Sequence, residues 1–174
     1  MVPIVSVVGR SNVGKTTFLV KLIRELKSRG HRLGTIKHYR HDFEIDQPGK
    51  DSWRHAHAGS DVAVIAGPHK LALVQRLQEE LPLEAIVAQM GPVDIVLTEG
   101  YKGADAPKIE VFRQGQSNDL VCPVDELVAI VADQHFELPV PQFDLDDVAG
   151  VADFVEGRYI LGHASGPARQ KESG

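Results

Sequence analysis

The run Gly9-Arg10-Ser11-Asn12-Val13-Gly14-Lys15-Thr16-Thr17 meets the pattern G-x-x-x-x-G-K-[ST] at every defined position. Ahead of it, Val2, Ile4, Val5, Val7 and Val8 form an apolar, β-branched run of the length of a strand buried on both faces. Behind it, Leu19, Leu22, Ile23 and Leu26 recur at the spacing of a helix with one buried face. A glycine turn before a helix matches the pattern by luck on the order of 1% of the time in a chain of this length. The flanking strand and helix argue further against chance.

The residue types follow from the charge they have to hold. A nucleoside triphosphate concentrates negative charge in a small volume, and backbone N–H groups can reach it only where glycine lets the chain approach. The following helix adds unpaired N–H groups and the positive end of its dipole. In this reading Lys15 reaches the β- and γ-phosphates, the Thr16 hydroxyl takes one position on Mg²⁺, and Thr17 serves the α-phosphate. Gly9, Arg10, Ser11, Asn12, Val13 and Gly14 complete the loop.

With 174 residues, 43% hydrophobic and 25% charged, the chain has the size and composition of one globular domain. We assign residues 1–162 to that domain and 163–174 to a mobile polar tail. A net charge of −5 argues against general nucleic-acid binding. The lone Cys122 excludes an intrachain disulfide and fits a reducing compartment. No apolar run approaches the roughly 18 residues of a membrane span, and no basic leader precedes the first strand, so the expected location is the cytoplasm without membrane contact.

Further along, Ser28-Arg29-Gly30 reads as a helix end with glycine at C′, and His31 to Lys37 as a second strand. Tyr39 to Gly49 reads as a loop or short hairpin, and Asp51 to Ala58 as a short helix capped by Asp51 or Ser52. Strands are expected at Asp61–Ala66, Leu71–Val74, Val93–Thr98 and Leu127–Ala132, with an edge strand at Lys108–Phe112. Gln75 to Met90 has helical spacing broken by Pro82, and Val148 to Val155 suggests a closing helix. The alternation implies an α/β fold of the P-loop NTPase type, a mainly parallel sheet with helices on both faces. Ligands then sit beyond the carboxyl ends of the strands.

At those ends, Glu99 follows Asp94-Ile95-Val96-Leu97-Thr98, where a phosphate-loop protein carries its second metal-organising carboxylate; the alternative is an acid in a solvated loop. Lys15 and Glu99 are the catalytic candidates, and Thr16, Glu99 and Asp46 the Mg²⁺ candidates. The segment from Lys37 through Arg54 offers cations and carboxylates and suits either a switch ordered by the γ-phosphate or a plain surface loop. His38, His41, His55 and His57 have H-x-x-H and H-x-H spacings but no closing ligand pair, which disfavours a structural zinc site. No N-K-x-D string specifies guanine. Asp133, after Leu127–Ala132, is placed either to accept from a guanine or to form a turn.

Four blocks in order, Gly9–Thr17, Lys37-His38, Asp46–Gly59 (DQPGKDSWRHAHAG) and Leu97–Lys102 (LTEGYK), resemble the molybdopterin-guanine dinucleotide biosynthesis adaptor family, MobB. Pro107–Arg113 and the VAIVAD strand extend the likeness to about Asp133. The resemblance implies a dimeric GTP-binding protein with weak GTPase activity and GTP and Mg²⁺ as cofactors. Its implied partners are a MobA-type nucleotidyltransferase, which couples GMP from GTP to molybdopterin, and molybdopterin or its molybdenum form. Carried over by residue, Gly9, Asn12, Gly14, Lys15, Thr16 and Thr17 would bind phosphates and Glu99 would take the Walker B position, with Asp46 and Asp51 as further candidates.

Two other classes remain open on the residues. A small-molecule kinase needs a lid with clustered arginines, whereas Arg76, Arg113, Arg158 and Arg169 are scattered in sequence. A passive nucleotide-binding module needs no turnover at all.

Overall fold

A computed structural model of the protein describes residues 1–162; the polar segment expected to be a tail lies outside the described residues. The chain divides into two compact units, Met1–His38 with Val87 onward, and Tyr39–Ile86.

The first unit is built on a six-stranded sheet in the order β2-β5-β1-β6-β7-β8. Its strands are β1 (Ile4–Val8), β2 (Leu33–Lys37), β5 (Ile95–Glu99), β6 (Lys108–Phe112), β7 (Leu127–Ala132) and β8 (Gln142–Asp144), and every pairing among them is parallel. Five consecutive buried residues in β5 and in β6 are what a strand covered on both faces requires. This is the mainly parallel α/β architecture expected from the phosphate loop.

Helices α1 (Lys15–Ser28) and α4 (Val148–Val155) share one core with the sheet. Phe18, Leu19, Leu22 and Leu26 from α1 and Val151, Ala152 and Val155 from α4 are buried with Val5, Val7, Ile95, Leu97, Ile109, Val111, Ala129 and Val131. These strand residues alternate, as one face of a pleated sheet must. The opposite face near β6 and β7 buries Val8, Phe112, Leu127, Ile130 and Ala132 under irregular chain carrying Leu120, Val121, Phe136, Leu138 and Val140.

The α1 terminus forms as the sequence indicates. Gly30 has φ +93°; its N–H donates to Lys27 O at 3.0 Å, and the His31 N–H donates to Leu26 O at 3.2 Å. That is the paired bonding of a Schellman cap, which the left-handed glycine permits. Arg29, just past the helix, donates to Glu25, Asp153 and Glu156, so α1 and α4 are also tied electrostatically.

In the second unit, α2 (Asp51–His57), β3 (Val62–Gly67) and β4 (Lys70–Gln75) follow in order, and α3 (Leu83–Ala88) runs on into the first unit. β3 and β4 pair antiparallel as a separate two-stranded sheet, closed by Pro68-His69.

Three local expectations change. Lys108–Phe112 is no edge strand: it lies between β1 and β7, and its weak alternation comes from Lys108 and Glu110, buried charges with partners inside the fold. The true edge on that side is β8, three residues long and preceded by Pro139 and Pro141, which obscured it. The helical spacing over Gln75–Met90 yields helix only at Leu83–Ala88, because Pro82 bars helix ahead of it and Gln75 is taken by the hairpin. The residue capping α2 is Lys50, without a side-chain cap bond, since Asp51 is already helical.

Candidate functional site

Gly9 leaves β1 with φ +140° and runs so close to β6 that an added Cβ would overlap the Val111 carbonyl oxygen. Asn12 (φ +65°) and Gly14 (φ +97°) take left-handed conformations, turning the loop back over the start of α1. Gly14 is the N-cap residue and supplies no side-chain cap. The first N–H groups of α1 are therefore left for a ligand or solvent. Val13 is fully buried and anchors the loop to the core. Its role is packing, with only its backbone available to an anion.

Lys15 folds back across the loop and donates from Nζ to the Arg10 carbonyl at 2.6 Å. Burial lowers its ammonium pKa below the usual lysine value, an effect that Glu99 opposes and that Lys102 and Lys37 reinforce. An incoming phosphate would relieve that crowding of cations. From the end of the neighbouring strand β5, Glu99 accepts the Thr16 hydroxyl through both carboxylate oxygens, at 2.8 and 2.9 Å. Lys37 Nζ stands 3.0 Å from Glu99 Oε1. Glu99 is held in place by its backbone as well: His38 N–H donates to Glu99 O at 2.9 Å, and Gly100 N–H to Val7 O at 3.2 Å. Gly100 has φ +108°, and an added Cβ would press on His38 at 3.1 Å.

Ser11, Asn12, Gly14, Lys15, Thr16, Thr17, Lys37 and Glu99 together line a cavity of about 470 Å³. Its hard oxygen donors, Thr16 Oγ1 and the Glu99 carboxylate, suit a Mg²⁺ ion that completes its shell with phosphate oxygens and water. Among the described residues no group of three or more His, Cys, Asp and Glu side chains is gathered to hold a metal unaided.

The other expected residues lie as follows. Arg10 borders a second basin beside the loop. Asp133 is exposed at the carboxyl end of β7, where its Oδ1 accepts the Gln114 N–H at 2.7 Å. Asp46 belongs to the second unit and accepts the Gln47 N–H at 2.9 Å; Asp51 opens α2 there, 4.0 Å from Arg54. His38 stacks on Tyr101 with ring centroids 4.5 Å apart, and His57 on Trp53 at 3.7 Å.

One residue gains a place that its sequence position hid. Arg113, just past β6, brings Nη2 within 3.8 Å of the point a Gly14 Cβ would occupy. It was one of several scattered arginines in sequence, and only the β1–β6 pairing carries it to the phosphate loop. Glu110, 1% exposed in the middle of β6, could have been singled out as a charge between Ile109 and Val111.

Comparisons with known proteins agree on one group. Residues 4–133 match the family model described as "Molybdopterin guanine dinucleotide synthesis protein B". The chain is 38% identical over 163 residues to the molybdopterin-guanine dinucleotide biosynthesis adapter protein of Escherichia coli, covering 89% of this chain and 92% of that one. Its counterpart in Haemophilus influenzae is 35% identical over 158 residues, covering 89% and 88%. Among solved structures, Bacillus subtilis MobB superposes with a TM-score of 0.74 at 30% identity, over 90% of this chain and 98% of that one.

Proposed function

This chain belongs to the molybdopterin guanine dinucleotide synthesis protein B family, and on that footing we propose that it is a GTP- and Mg²⁺-binding adaptor. It assists a MobA-type nucleotidyltransferase in joining GMP to molybdopterin. Its place in molybdopterin-guanine dinucleotide biosynthesis follows from the family; the ligand, the metal and the partner are our finer reading.

The observation that carries the nucleotide is the bond between Thr16 and Glu99 at the wall of a cavity that also holds Lys15 and Lys37. Backbone N–H groups of the loop and of the first turn of α1 bind phosphate oxygens. Lys15 exchanges its bond to the Arg10 carbonyl for the β- and γ-phosphates. Thr16 and Glu99 hold Mg²⁺, which supplies charge neutralisation at those phosphates. Asp133, whose Oδ2 has no hydrogen-bond partner among the described residues, is assigned to the guanine N1–H and N2–H₂ groups.

Hydrolysis is slow in this reading. None of the described residues lining the cavity is an Arg or Gln, the side chains that usually neutralise the transferring group and orient water. Arg113, near Gly14, is placed to contribute once a partner completes the site.

A homodimer is supported by the hairpin. Val64, Ile65, Leu71 and Leu73 are each half exposed or more on a two-stranded sheet, a unit that is marginal without something packed on it. A second copy supplies the same apolar surface through a two-fold axis.

Single-turnover GTP hydrolysis, with and without the nucleotidyltransferase and molybdopterin, tests the adaptor role. Acceleration by the pair is expected; an unchanged rate would instead favour a passive nucleotide-binding module.

A further inference from the structure

A second cavity, of about 570 Å³, shares Ser11 with the phosphate-loop cavity. Arg10, Ser11, Lys102, Gln116, Leu120 and Val121 line it. Both of its charged lining groups are cations. Neither the Arg10 guanidinium nor the Lys102 ammonium makes a hydrogen bond or ion pair with another described residue. Two uncommitted cations facing one cavity repel each other, and a shared anion removes that repulsion.

The opposite wall is built to stay in place. Glu110 accepts the Val121 N–H at 2.7 Å and the Cys122 N–H at 3.1 Å, one on each carboxylate oxygen. Because that carboxylate is buried in the middle of β6, it pins Val121 and Cys122 against the sheet rather than facing a ligand. Burial raises the Glu110 pKa, opposed by the two N–H bonds and then by the charges of Lys102 and Arg10, and Lys102 also adds to the lowering of the Lys15 ammonium pKa that burial begins. Lys102 therefore acts on both cavities.

We propose that this basin is a second anion site, which takes a phosphomonoester between Arg10 and Lys102 with its carbon body resting on Leu120 and Val121. Gln116 supplies an amide donor and acceptor at the rim. The phosphomonoester and the nucleotide are bound together, with Ser11 lining both cavities, so that two phosphate-bearing compounds are presented side by side. This deepens the adaptor reading and rests on it only for the identity of the neighbour in the first cavity.

The test is calorimetric titration of the full chain with phenyl phosphate and, separately, inorganic phosphate, in Mg²⁺ with a non-hydrolysable GTP analogue at saturation. Saturable phenyl phosphate binding is expected, tighter than that of inorganic phosphate. It should weaken about tenfold or more in Lys102→Met and in Arg10→Met, with thermal melts confirming that each variant is folded. The same titration of Lys15→Ala without nucleotide separates the two cavities: retained phenyl phosphate binding there supports the second site even if GTP fails to bind the wild type. Displacement by the GTP analogue, equal affinity in wild type and Lys102→Met, or no saturable binding would each overturn the proposal, the first by showing that the nucleotide itself fills the basin.

Discussion

The Thr16 hydroxyl donates to both oxygens of Glu99, at 2.8 and 2.9 Å, across 83 positions of sequence. The contact exists because β1 and β5 are parallel neighbours with Val7 opposite Glu99. The last residue of one strand and the helix after the other thereby meet at the same end of the sheet. Replacing the carboxylate by an amide keeps an acceptor for Thr16 but removes the charge. We expect Glu99→Gln to lose most of the Mg²⁺-dependent part of GTP affinity, about 10- to 100-fold. Fluorescence titration with and without Mg²⁺ measures it, and an undiminished Mg²⁺ effect in the variant would remove Glu99 from the metal site.

Gly9 and Gly30 both have positive φ, but only Gly9 is pressed against another strand. Gly30→Ala should therefore cost about 1–3 kcal/mol from backbone strain alone. Gly9→Ala should cost more, because the Val111 carbonyl must also move. Urea denaturation of the two variants compares them directly. Equal midpoints would mean that the β1–β6 approach is looser than described.

The tie between α1 and α4 depends on pH. Glu156 accepts from His31 at 2.6 Å and from Arg29 at 2.8 Å, and these partners, His31 foremost, hold its pKa below the usual glutamate value of 4.5. A carboxylate whose folded pKa is depressed contributes stability that is present above its unfolded pKa and lost as pH falls through the folded one. Glu156→Gln is accordingly expected to be less stable than wild type at pH 7, with the difference shrinking as pH drops below 4.5. Urea melts across that range would show it; a difference that stays constant would assign the effect to packing.

Apolar exposure on the β3–β4 hairpin predicts a mass in solution near twice 19.0 kDa, measurable by light scattering. Val64 and Leu73 are opposite one another in the hairpin and share a face. Leu73→Glu should shift the protein towards monomer while leaving GTP affinity in place. A dimer that withstands both Leu73→Glu and Leu71→Glu would put the interface elsewhere.

How far the sequence could be read depended on whether the cause was local. The phosphate loop, the α1 cap at Gly30 and the buried strands each carry their signal within a few residues, and they fold as expected. Glu99 was reachable too, because a carboxylate at the end of an apolar strand needs only the rule that parallel sheets bind ligands at that edge. Arg113, Lys102 and the Glu110-supported wall were not legible as a site. Their meeting depends on β6 pairing with β1, and the two charged residues that made β6 look like an edge find partners only after folding, Lys108 in Glu126 and Glu110 in the N–H groups of Val121 and Cys122. The hairpin was found as two strands, but nothing in their apolar patterns said that they would pair with each other instead of joining the sheet.

Equilibrium binding of GTP and ATP to the wild type and to Lys15→Ala, with and without Mg²⁺, addresses the phosphate-loop cavity itself. We predict tighter binding of GTP than ATP, strengthening by Mg²⁺, and a loss of about tenfold to a hundredfold or more in Lys15→Ala with its melting temperature unchanged. A folded Lys15→Ala protein that binds GTP as tightly as wild type would contradict the account.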